Sequence, residues 1–212
     1  MQAIRKGVAK LVNSLQIYVK DGGMTSIHVS AAIKELEKLG YQYRHDTFPE
    51  LINTEQFKDN SLETPGNLAE ALLWKLGKWK SYKKFAKQFA DKKSVPTNTD
   101  VVFYAFAKHL RDNAKPIYDQ HAIRAMWAIC PCLTPVEKDK CKQILINKKD
   151  EWKNVGSGNV AVDCYNIYLD HIDKIIKEGV SKKEIDKLLM PLGQALKRCT
   201  KNYSEFAKLC KF

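Results

Sequence analysis

No stretch of the chain approaches the roughly 18 consecutive apolar residues that a membrane span requires, and the N-terminus lacks the short apolar core of a secretory signal. These absences argue against a membrane partner and lead us to expect a soluble, cytoplasmic protein. Sustained alternation of apolar and polar residues is also missing, and no run is enriched in β-branched residues, which leaves helices joined by short loops. The expected fold class is all-α. Nothing repeats at a fixed period and no segment is of low complexity. Acidic residues are the scarce charge: 24 Asp and Glu face 36 Lys and Arg, a net +12. Fold stability does not need such a surplus, and it points to a polyanionic partner.

What is present is ordinary globular material, with 44% hydrophobic residues, enough to build a core. A length of 212 residues suits one two-lobed unit or two small ones. Residues 41–63 have weak periodicity and scattered Pro, Asn and Asp, and form the one boundary candidate. We therefore divide the chain into N-terminal helices with an irregular connection, 1–64, and a helical region, 65–212, which together are expected to form one two-lobed unit.

Charge is uneven along the chain. Lysines 75, 78, 80, 83, 84, 87, 92 and 93 face only Asp91 between them, whereas residues 46–70 are acidic. Such a cluster is either a phosphate-binding face or a solvated helix face. Residues 1–20 are basic and amphipathic, a pattern shared by membrane-surface and organelle-targeting helices, but Ile4, Val8, Leu11, Val12 and Leu15 form an ordinary core-facing stripe. The six cysteines (130, 132, 141, 164, 199 and 210) read as reduced thiols in a chain without an export signal. Cys130-Pro131-Cys132 and Cys141 offer three ligands, but no fourth stands at recognisable spacing. Buried thiols are expected, with no metal and no cofactor.

Helices are predicted at about 2–19, ending at Asp21-Gly22-Gly23, and at about 25–39, ending at Gly40. Thr64 and Pro65 should open another, with Leu68, Leu72, Leu73, Leu76 and Trp79 on its buried side. A helix with Tyr82, Phe85 and Phe89 follows, then one capped by Thr99 that buries Val102, Phe103, Phe106 and Leu110. Asp119 precedes a helix carrying Ala122, Ile123, Met126 and Trp127, stopped by Pro131. Further helices are expected at about 135–149 and 158–178. The last begins with a Ser181/Glu184 capping box and has Pro191 in its interior, where a kink is expected.

Asp119 is a carboxylate at an element boundary after a Pro-containing turn, a setting that suits an N-cap and also a rigidly held catalytic group. The segment Pro116-Ile117-Tyr118-Asp119-Gln120-His121-Ala122-Ile123-Arg124 resembles the Val-Asp-Thr-His-Val-x-Arg segment of the helix-hairpin-helix DNA glycosylase superfamily, with Asp, His and Arg in register. The same segment also resembles a widespread bacterial group of uncharacterised helical proteins with a Pro-Ile-x-Asp-x-Arg-Ala motif, whose later leucine-rich signature has a counterpart in Ile185-Asp186-Lys187-Leu188-Leu189-Met190-Pro191-Leu192-Gly193. The match spans roughly residues 68–198 and suggests a diverged bacterial or phage-related member.

The resemblance implies two helical lobes with a cleft between them and Asp119 at its mouth, facing the sugar of a flipped nucleotide. There it would stabilise positive charge on the deoxyribose and orient water. The family's glycine-rich hairpin, which offers N–H groups to phosphate, is replaced by Val95-Pro96-Thr97-Asn98-Thr99. The Schiff-base lysine of bifunctional members falls nearest Asn98, so the resemblance implies a monofunctional hydrolase. DNA or base contacts are expected from Asn98, Thr99, Tyr118, Gln120, His121, Trp74, Lys83, Lys84, Lys87, Lys92 and Lys93. The expected protein, its oligomeric state open with a monomer favoured, acts on a damaged or modified base in repair or antiviral defence and is nucleoid-associated when bound. The alternative is a non-catalytic nucleic-acid-binding module of the same ancestry.

Overall fold

The computed structural model describes residues 2–43, 68–112, 115–153 and 158–211. These residues form α1 (Gln2–Lys20), α2 (Ser26–Lys38), α3 (Leu68–Lys75), α4 (Trp79–Ala90), α5 (Val101–Arg111), α6 (Gln120–Ile129), α7 (Pro135–Leu145), α8 (Ala161–Ile172), α9 (Lys182–Cys199) and α10 (Tyr203–Cys210). The fold is all-α. Among the described residues β structure is limited to isolated bridges, such as Met24 with Ile176. Among the described residues no helix is long and apolar enough to cross a membrane.

Local chemistry accounts for the termini. The α1–α2 turn uses Gly22 and Gly23 at φ 92° and 103°, conformations that glycine reaches without steric cost. Thr25, Thr134 and Ser181 each close a reciprocal capping box at the start of α2, α7 and α9. Val8, Val12 and Leu15 of α1 are buried as their spacing predicts, as are Ile185, Leu188, Leu189, Leu192 and Leu196 of α9. α6 packs most extensively against α9, and α1 and α8 also flank it. Eight of its ten residues are buried, which makes it the central helix of the core.

Several expectations need correction. α3 stops at Lys75 and a turn with Gly77 at φ 68° separates it from α4, so the two are not one helix. Leu68, Leu72 and Leu76 are exposed and do not continue a buried side. Asp100, not Thr99, occupies the residue before α5, and its carboxylate turns back to accept from the Thr97 N–H and hydroxyl. Val102, Phe103, Phe106 and Leu110 are half-buried: with Leu73, Tyr82 and Phe85 they line an apolar groove of about 490 Å³ between α4 and α5. The helices expected at 135–149 and 158–178 are shorter, and α10 follows α9 as a separate helix capped by Asn202. Thr64, Pro65 and most of the 41–63 connection lie outside the described residues.

Candidate active site around Asp119

Asp119 is extended (φ −151°, ψ −173°), and its Oδ1 accepts the N–H groups of His121 and Ala122 at 2.7 and 2.9 Å. It is therefore the N-cap of α6. The side chain is half-buried, and Oδ2 accepts no hydrogen bond from the described residues. One oxygen fixes the carboxylate and the other remains available. The positive end of the α6 dipole lies beneath both.

Two residues on one side of α9 hold this segment. Asp186 is 2% exposed, and both of its oxygens lie 3.1 Å from the Ile117 N–H, which donates to them. Burial raises the Asp186 pKa to about 8, against the opposing effects of the Ile117 hydrogen bond and Lys182, with Asp119 adding a further upward push. Gly193, seven residues on, lies against the first turn of α6: a Cβ there would stand 2.0 Å from the His121 carbonyl oxygen. The segments 116–124 and 185–193 are thus in direct contact.

Arg124 is fully buried, with its guanidinium 4.3 Å over the Trp152 ring. Its Nη1 donates to the Gly193 carbonyl at 3.2 Å and lies 3.3 Å from His121 Nδ1. A guanidinium can only donate, so Nδ1 accepts and the neutral His121 ring carries its proton on Nε2. Burial lowers the His121 pKa, Asp119 opposes this, and Arg124 adds to it. Burial likewise lowers Arg124 to about 10, with Asp119 again opposing. Arg124 Nε and Nη2, and Gln120 Oε1, are buried without a protein partner among the described residues.

The other expected contacts divide into three groups. Tyr118 is 2% exposed, its ring against Tyr165 and Tyr168, so it is a core residue and not a stacking platform beside Asp119. Asn98 is used structurally: its Oδ1 accepts from Val162 N–H at 2.8 Å and its Nδ2 donates to the Asn159 carbonyl at 3.0 Å. It caps α8 from a distant loop, a role its local sequence does not reveal. Thr99 pairs with Thr97 through their hydroxyls. Trp74 is 59% exposed on α3, and Lys83, Lys87, Lys92 and Lys93 are exposed with Lys84 half-buried on or just after α4. The lysines thus form a solvent-facing basic surface opposite the buried Trp79, Ala86 and Phe89.

A second cluster lies at the other end of α6. Cys130, its C-cap residue, has its sulfur 2.8 Å from that of Cys132, and both lie 3.6 Å from His171 Nδ1. Cys141, grouped with these cysteines on spacing, instead interacts with Cys164. His171, at the end of α8, takes its place. Compared with known proteins, the chain matches no family model, no curated protein and no solved structure.

Proposed function

We propose that the protein is a monofunctional DNA glycosylase in which Asp119 stabilises the sugar cation and orients the attacking water at a damaged or modified base. The observation that carries this reading is the division of labour within one carboxylate. Oδ1 is locked by the first turn of α6, and Oδ2 is left without a protein partner among the described residues. A carboxylate held this way loses little freedom when it meets a developing positive charge. The cleft this reading requires would lie between the α3–α5 unit, which bears the basic surface, and the core around α6 and α9. Asn98 in place of the family lysine agrees with water as the nucleophile.

Tyr118 favours a second reading. With its ring in the core and the hairpin glycines absent, a non-catalytic nucleic-acid-binding module would use the α4 lysines alone. Duplexes carrying different base modifications, incubated with the protein and then treated with alkali, distinguish the two. Strand breaks at the modified base report abasic sites and support the glycosylase. Binding without breaks on any substrate supports the module.

A further inference from the structure

We propose that Cys130, Cys132 and His171 bind one thiophilic divalent cation of the zinc type, with Glu137 holding the imidazole in its ligating tautomer. The three donor atoms lie within 4.8 Å of one another. Bond lengths of ~2.3 Å to sulfur and ~2.0 Å to nitrogen place tetrahedral S–N pairs at about 3.5 Å and S–S pairs at about 3.8 Å. Both S–N separations here are 3.6 Å. The sulfurs are closer, at 2.8 Å, and Cys132 is exposed, so rotation of its side chain can open that distance.

The surroundings add more than proximity. His171 Nε2 lies 2.8 Å from Glu137 Oε1, and a carboxylate there makes Nε2 the protonated nitrogen, which leaves the Nδ1 lone pair facing the two sulfurs. Glu137 is fixed in turn, because its Oε2 accepts the Thr134 N–H at 2.7 Å within the α7 capping box. A carboxylate backing a ligating histidine is the outer arrangement that metal sites use to orient imidazole. The site joins the end of α6, the start of α7 and the end of α8, and the fourth position of a tetrahedral ion would open toward solvent beside Cys132. The inference is independent of the glycosylase reading.

Cobalt titration of the reduced, metal-free full chain tests it. One equivalent should give thiolate-to-cobalt charge-transfer bands and the intense d–d absorption of a tetrahedral ion, and zinc should displace it. Cys132→Ser, at an exposed position, should abolish that spectrum while leaving the circular dichroism unchanged. Glu137→Gln should weaken zinc affinity about 10- to 100-fold, measured by chelator competition. Absence of the thiolate bands in the wild-type chain would overturn the proposal. So would their persistence in Cys132→Ser, or a Cys130–Cys132 disulfide that survives reductant.

Discussion

The carbonyl oxygen of His121 lies 2.0 Å from the point where a Cβ at position 193 would stand, so only glycine allows α9 to approach the first turn of α6 this closely. Both residues belong to helices at the centre of the core, and the obstructing atom is backbone, not the end of a flexible side chain. Gly193→Ala should therefore separate α6 from α9 and destabilise the fold by about 1–3 kcal/mol or more, despite the better helix propensity of alanine. Denaturant unfolding of the two proteins measures it, and equal midpoints would show that the packing there is loose.

Asp186 should make stability depend on pH in the direction opposite to that of a salt-bridged carboxylate. Its folded pKa is raised to about 8 from an ordinary 3.8. Between those values the folded state holds a proton that the unfolded chain has released, so stability falls as pH rises through that window and levels off above it. The slope from this group approaches ~1.4 kcal/mol per pH unit. Asp186→Asn can still accept from Ile117 N–H and should flatten the curve between about pH 4 and 8. An unchanged slope would place its origin elsewhere.

Binding to duplex DNA should weaken steeply with salt. Replacing Lys83, Lys84 and Lys87 with glutamine should reduce the slope of log K against log salt by about 0.9 for each phosphate that the variant no longer neutralises. If the slope does not change, the helix face is only solvated.

Borohydride should trap no covalent complex on DNA, because Asn98 stands where the resemblance places a Schiff-base lysine and its amide is engaged with α8. A trapped adduct would move the nucleophile to Lys92 or Lys93.

Helix positions and several caps are legible in the sequence because they depend on neighbours a few residues apart. Asp119 and Ser181 occupy the cap positions expected of them. The supports of the site come from distant parts of the chain. Asp186 reaches Ile117 across 69 residues and Asn98 reaches Val162 across 64, and no local period encodes either pairing. His171 escapes a sequence reading as a partner of Cys130 and Cys132 for the same reason. Tyr118 shows the opposite limit: it adjoins Asp119, but its ring packs inward against Tyr165 and Tyr168 while the Asp119 carboxylate turns to the α6 terminus. Adjacency in an extended segment does not place two side chains on the same side.

Asp119→Asn separates a catalytic role for this residue from a capping one, because it preserves shape and capping while removing the charge that the cleavage transition state requires. Base release, duplex affinity and melting temperature should be measured on one preparation. A catalytic Asp119 requires base release to fall by about 10²-fold or more, with affinity level or higher and melting unchanged. Excision at the wild-type rate by the asparagine variant would contradict that role and leave Asp119 as a helix cap alone.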